Sequence, residues 1–216
     1  MEKSYAAFLF DMDGTLITST VSAERVWTEW ASKHGIDAAS LLTVLHGVRS
    51  VDTLRALNLP QIDAEAEAAA IEAAEIADTD GVAPIAGVTA FLAALPPKRW
   101  ALVTSASLAL ARARLAAAGI ALPPVTITAE DVARGKPDPQ GYKLAAERLG
   151  VDPADCLVFE DAPAGLLAGE AAGADVLAIS ATHRHPAHDG RPSVRDYREL
   201  SVTVTADGRL LVGRTV

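Results

Sequence analysis

The feature that most constrains this chain is a rhythm. Short apolar runs of strand length alternate with helical stretches that stop at a glycine. The runs cover residues 6–10, 100–104, 125–128, 156–159 and 176–179 and are bounded by turn or acidic residues. Unbroken apolar runs of that length are expected of strands buried on both faces. Between them, residues 107–118, 141–149 and 164–172 read as helices, followed at once by Gly119, Gly150 and Gly173. A glycine just past a helix accepts the left-handed backbone that ends it. Strand, helix, glycine, strand is the order that builds a parallel sheet with right-handed crossovers, so the expected fold is α/β.

The rhythm breaks once. Between Ile17 and Pro84 the sequence shows no convincing strand, only helical patterns at residues 24–34 and in the alanine- and glutamate-rich run 64–78. The expected organisation is a core of residues 1–16 and 85–216 with an α-helical domain, residues 17–84, inserted into it. With 216 residues, 50% of them hydrophobic, the chain can bury one core and a small accessory domain. Near the C-terminus, residues 201–215 alternate around Asp207-Gly208, a hairpin signal.

Charge and cysteine usage exclude several roles. A formal net charge of -9 repels nucleic acid and anionic lipid, so neither is an expected partner. The same charge repels a phosphorylated ligand, so a phosphate site must carry its own local positive charge. The single cysteine, Cys156, opens an apolar run and reads as core; without a disulfide partner it fits a reducing, cytoplasmic setting. The apolar run before Asp11 is too short for a signal peptide or a membrane span.

Four polar groups fall at the ends of successive expected strands. The first strand runs into Asp11-Met12-Asp13-Gly14-Thr15. In open α/β sheets the crevice beyond the strand ends binds ligands. There one carboxylate can attack phosphorus while the other exchanges a proton with the departing oxygen. Taken alone, the same string is an ordinary acidic turn. The second strand ends at Thr104-Ser105-Ala106-Ser107, where a hydroxyl and free N–H groups can cradle a phosphate, or simply cap the helix that Ser107 begins. Lys136, in Arg134-Gly135-Lys136-Pro137-Asp138-Pro139, can neutralise a phosphorane from a loop stiffened by two prolines, or be one more solvated lysine. The fourth strand ends Phe159-Glu160-Asp161, whose carboxylates suit Mg²⁺ or the N-terminus of the next helix.

Taken together and in order, DMDGT, the serine after the second strand, the lysine of GKPDP and FEDAPAGLLAGEAAGA resemble the four motifs of the haloacid dehalogenase superfamily, over nearly the whole chain. The resemblance implies a Rossmann-like three-layer core with a parallel sheet and an α-helical cap inserted after the first motif. It implies Asp11 as nucleophile, Asp13 as general acid/base and Lys136 as a catalytic cation. Thr15, Ser105 and Ala106 would bind the phosphate. Mg²⁺ would sit on Asp11, Asp13 through its backbone, Asp161 and, directly or through water, Glu160.

Within that superfamily the chain is similar to sugar-phosphate and glycerol-phosphate phosphatases at His46-Gly47-Val48-Arg49-Ser50, at Lys98-Arg99-Trp100-Ala101 and at Glu160-Asp161-Ala162-Pro163-Ala164-Gly165. It departs from many relatives at Thr18, where they carry an aspartate. The implied function is Mg²⁺-dependent hydrolysis of a small phosphorylated metabolite, a sugar or polyol phosphate; no protein partner is evident. His46 and Arg49 are the candidate substrate residues of the cap, with a surface or inter-domain salt bridge the other reading of Arg49. Resembling phosphoglucomutases carry a histidine ten residues beyond the second aspartate and a cap lysine, where this chain has Ala23 and His46. A non-catalytic phosphate-sensing module has no need of all four reactive groups. His183, His185 and His188 form a His-x-His cluster that reads as a solvated loop more readily than as a metal site. Trp27 and Trp30 are three apart on one expected helix; one packs inside the cap and Trp27 is the candidate to face substrate.

Overall fold

The computed structural model describes residues 3–43, 45, 47–182 and 190–215. His46 and the His183, His185 and His188 cluster lie outside the described residues.

The chain opens with β1 (Ser4–Tyr5) and β2 (Ala7–Phe10), turns through β3 (Ile17–Thr18), and enters four helices: α1 (Thr20–His34), α2 (Ala38–Leu42), α3 (Ser50–Ala56) and α4 (Ala64–Ala77). It returns through β4 (Ala83–Pro84) and α5 (Val88–Ala93). Then it alternates: β5 (Trp100–Val103), α6 (Leu108–Ala117), β6 (Thr126–Ile127), α7 (Gln140–Leu149), β7 (Cys156–Glu160), α8 (Pro163–Ala172) and β8 (Asp175–Ile179). The last strands are β9 (Ser193–Val194), β10 (Leu200–Val204) and β11 (Leu210–Arg214).

Six strands form one parallel sheet in the order β6-β5-β2-β7-β8-β9. β2 is central, with Leu9 opposite Ala101 on one side and Val158 on the other. The chain thus leaves β2 toward β5 and later comes back to its other edge as β7. That reversal opens a crevice beyond the carboxyl end of β2.

Alternate residues of the strands feed two different layers, as the two-residue repeat requires. Phe8, Phe10, Leu102, Leu157, Phe159, Leu177 and Ile179 face one side, where Phe91 of α5, Leu115 of α6 and Tyr197 cover them. Phe10 and Phe159 stack there with ring centres 4.5 Å apart. Ala7, Leu9, Ala101, Val103, Val158, Val176 and Ala178 face the other side, against Tyr142 and Ala145 of α7 and Leu166 and Ala168 of α8. Each large side chain buried this completely stabilises the fold by roughly 1.5–3 kcal/mol. The result is the expected three-layer α/β core.

Helices α1 to α4 bury Trp27, Trp30, Leu41, Leu54 and Ile71 in a cluster of their own. Two of their starts, those of α2 and α4, are set locally: the Asp37 side chain accepts from the Ser40 N–H, and Asp63 accepts from the Glu65 and Ala66 N–H groups. The first helix begins a turn before residue 24, at Thr20. Trp30 packs inside and donates its indole N–H to Glu67 at 2.8 Å.

One expectation is corrected. The stretch between Ile17 and Pro84 does hold strand: β3 pairs antiparallel with β4, Ile17 opposite Pro84 and Thr18 opposite Ala83. Two residues per strand are too few to print a period in the sequence. β9, equally short, also escaped. The hairpin at Asp207-Gly208 is present, and β11 pairs with β1 as well as β10 to make a second, three-stranded antiparallel sheet. Among the described residues no helix is long and apolar enough to cross a membrane.

Candidate active site

β2 delivers Asp11 to the crevice. The Asp11 N–H still reaches the Phe159 carbonyl at 3.0 Å, and the chain then folds back, the Leu16 and Ile17 N–H groups both returning to the Met12 carbonyl. Gly14 sits in that turn at φ +82°, and a Cβ there would lie 1.9 Å from Asp161 Oδ2. Only glycine lets the loop take this backbone and come so close to the carboxylate at the end of β7. Gly165, in the first turn of α8, is needed for close approach alone: a Cβ there would lie 1.6 Å from Glu160 Oε1.

Lys136 ties the corner together. Its ammonium is buried and donates to Asp11 Oδ1 at 2.6 Å, to Glu160 Oε1 at 2.6 Å and to the Val103 carbonyl at 3.2 Å. Glu160 is wholly enclosed. Its Oε1 also accepts from Tyr142 OH at 3.1 Å, and its Oε2 accepts from the Asp161 and Ala162 N–H groups at 2.8 and 3.0 Å. Both oxygens of Glu160 are therefore committed to holding Lys136 and the start of α8.

Burial raises the Asp11 carboxyl well above the ordinary range, and the carboxylates of Glu160 and Asp161 push the same way against the pull of Lys136. Burial alone would lower the Lys136 ammonium, but Asp11 and Glu160 more than reverse this and hold it charged. Oxygens of Asp11, Glu160 and Asp161 come within 4.8 Å of one another, all three residues buried. Three carboxylates to one ammonium in a buried corner is a charge set that a divalent cation completes. Hard carboxylate oxygens with no histidine or sulfur suit Mg²⁺. Asp11 and Asp161 are the residues fitted to hold it, because Glu160 is already saturated.

Lys136→Met tests this arrangement. It leaves Asp11 and Glu160 facing each other without their counter-charge, so urea denaturation is expected to show a loss of about 3–5 kcal/mol. A loss under about 1 kcal/mol would mean that the ammonium contributes no net stability there.

The second aspartate points elsewhere. Asp13 Oδ1 accepts from Ser19 Oγ at 2.5 Å and from Arg114 Nη1 at 3.0 Å, at the edge of the cavity and apart from the three clustered acids. Ser105 and Ala106 lie where the phosphate cradle was expected. In this structure the Ser105 hydroxyl donates to the Gly47 carbonyl at 3.0 Å and the Ala106 N–H to Thr104 Oγ1 at 3.1 Å. Thr15 Oγ1 is buried beside the turn with no partner. Ser107 caps α6, accepting from the Leu110 N–H, and it also donates to Glu72 of α4 at 2.7 Å.

The structure does not bring Arg49 to this cavity. Its guanidinium is engaged by the Asp52 carboxylate on both sides, Nε to Oδ2 at 2.6 Å and Nη2 to Oδ1 at 3.1 Å, and it lies against Gly135. The salt bridge lies within the inserted segment and is not the expected inter-domain one, and Arg49 lines a neighbouring, smaller pocket with Ser105 and Lys136. The cavity is walled instead by Asp11, Asp13 and Asp161 from below and by Ala23, Trp27, Thr53 and Glu75 from the helices. Trp27 therefore does face it. Sequence reading missed Arg114 and Glu75, both buried: Arg114 sits in an Arg-Ala-Arg string that looks solvated, and Glu75 in a run that looks like a solvated helix face.

Residues 5–173 match the family model for haloacid dehalogenase-like hydrolase. The chain is 39% identical to "Hexitol phosphatase A" of Escherichia coli over 95% of its own length and 97% of that protein's. It is 34% identical to "2-deoxyglucose-6-phosphate phosphatase 1" of Saccharomyces cerevisiae, over 81% of this chain and 80% of that one. Among solved structures, a β-phosphoglucomutase from Clostridium difficile superposes with a TM-score of 0.76, covering 89% of this chain and 91% of that one. At 19% identity that likeness speaks for the fold alone.

Proposed function

The chain belongs to the haloacid dehalogenase-like hydrolase family, and on that premise we propose that it is a Mg²⁺-dependent phosphatase releasing inorganic phosphate from a small sugar or polyol phosphate by way of an aspartyl-phosphate. The observation that carries this is Asp11: a buried carboxylate at the end of the central strand, one oxygen held by Lys136, with Asp13 two residues on at the cavity edge.

The steps follow from those positions. An Asp11 oxygen attacks phosphorus, and the bond from phosphorus to the substrate alkoxide breaks. Asp13, protonated, gives its proton to that alkoxide. Asp13 then takes a proton from water, whose oxygen attacks phosphorus and expels the Asp11 carboxylate. Phosphate leaves, and both aspartates are restored. Lys136 balances charge on Asp11 throughout. Mg²⁺, when bound, supplies further positive charge at the phosphoryl oxygens. Ser105 lines the cavity, and its hydroxyl, released from the Gly47 carbonyl, binds the phosphate. Residues 17–84 act as a cap that closes over the crevice and excludes bulk water. Small phosphorylated metabolites are the expected substrates and the cytoplasm the expected location.

A panel of glycerol, hexitol, hexose and 2-deoxyhexose phosphates with nucleotides, assayed for phosphate release with Mg²⁺, tests the reading. At least one sugar or polyol phosphate is expected to outpace every nucleotide. Phosphate release from none of them would leave the phosphate-sensing reading standing. Ala23 lines the cavity, so the position where resembling mutases carry a histidine is in place but bears no proton-transfer group. β-Glucose 1-phosphate, where it reacts, is therefore expected to give free phosphate; net formation of glucose 6-phosphate would restore the mutase reading.

A further inference from the structure

Three buried polar residues line the cavity that Asp13 borders, where the departing alcohol must lie if the phosphatase reading holds. Arg114 comes from α6, Glu75 from α4 and Thr53 from α3; they are 5%, 4% and 5% exposed. Arg114 gives Nη1 to Asp13 and brings Nη2 within 3.2 Å of Glu75 Oε1, off the line of a hydrogen bond. Arg114 Nε and Nη2 and Thr53 Oγ1 have no hydrogen-bond partner. Trp27 lines the same cavity and favours the charged form of Glu75. Buried polar atoms are rarely left unpaired without a reason, and here the residues that carry them line one cavity.

Their chemistry is complementary to a hydroxylated chain. A guanidinium donates, a carboxylate accepts, and a threonine hydroxyl does both, as each hydroxyl of a polyol does. The charges also say what is refused. Among the described lining residues Asp11, Asp13, Glu24, Glu75 and Asp161 carry carboxylates, and Arg114 is the one cation, already set between Asp13 and Glu75. A tail with a second phosphate or a carboxylate would meet Glu75 and Glu24 with no cation to spare.

We infer that Glu75, Arg114 and Thr53 recognise the hydroxyl groups of the leaving alcohol, and select a neutral polyhydroxy tail over one bearing a second anion. This inference rests on the phosphatase reading of the same site and adds its specificity.

The test uses the full chain with Mg²⁺ and three probes: a hexitol 6-phosphate, fructose 1,6-bisphosphate and p-nitrophenyl phosphate, which has no such hydroxyls. Wild type should favour the monophosphate over the bisphosphate. Thr53→Val, nearly the same shape, should lower the ratio of kcat/KM on the hexitol phosphate to that on p-nitrophenyl phosphate about tenfold, and Thr53→Ser should restore it. Glu75→Gln should lower the same ratio and raise the relative use of the bisphosphate. Ratios unchanged within about twofold in both Thr53→Val and Glu75→Gln would overturn the inference while leaving the phosphatase reading intact. A wild type inactive on all three probes would instead overturn the phosphatase reading, and this inference with it.

Discussion

Asp11→Asn is expected to cut turnover by at least about a thousandfold and to leave the chain folded. The amide has the shape of the carboxylate but no nucleophilic oxygen, so the aspartyl-phosphate cannot form. The fold should survive because the substituted side chain can still offer an amide oxygen to the Lys136 ammonium, which also keeps Glu160 and the Val103 carbonyl. The change also removes one of three crowded carboxylates, ending both the burial cost and the repulsion from Glu160 and Asp161 that lift Asp11. Steady-state phosphate release, a thermal melt and a mass spectrum excluding deamidation to aspartate check it together. Substantial activity in verified asparagine protein would sink the proposed mechanism.

Removal of divalent cations is expected to have an effect of similar size. Excess chelator should take turnover to background, added Mg²⁺ should restore it, and Ca²⁺ should not, since calcium takes more ligands at longer distances. The reason lies in the corner of Asp11, Glu160 and Asp161, three buried acids beside one lysine. A second readout needs no turnover: a cation that binds the folded chain raises its melting temperature. Asp161→Asn should lose most of that rise, whereas Glu160, with both oxygens engaged by Lys136, Tyr142 and two backbone N–H groups, is not expected to be a direct ligand. Full activity in excess chelator, or no thermal response to Mg²⁺, would overturn the assignment.

The residues that build this corner were legible because each is tied to a local pattern. Asp11, Ser105, Glu160 and Asp161 follow apolar runs that are strands, and a strand end fixes where its next residues go. Parallel strands then bring those ends to one edge of the sheet whatever their separation in sequence. Lys136 was legible through its glycine- and proline-marked loop. The cap was less so. His46-Gly47-Val48-Arg49-Ser50 drew attention as a compact polar string, yet Arg49 turns to Asp52, three residues on in the helix that it precedes, and rests on Gly135. The string names polar groups; it does not say which way they point.

The sequence by itself determined the α/β core, the helical insertion, the hairpin at Asp207-Gly208 and the placing of Asp11, Ser105 and Asp161 just past strand ends. These depend on periodicity and on turn chemistry, which act over a few residues and leave their mark in the string. Only the tertiary structure decided what lines the cavity. Glu75 and Arg114 are 39 residues apart, and nothing local marks either charged side chain as buried. They are buried because α4 comes down on α6 beside Asp13, an event fixed by the packing of two separate clusters around Trp27 and Leu115. A charge is buried or exposed according to what its helix packs against, and that surface belongs to another part of the chain.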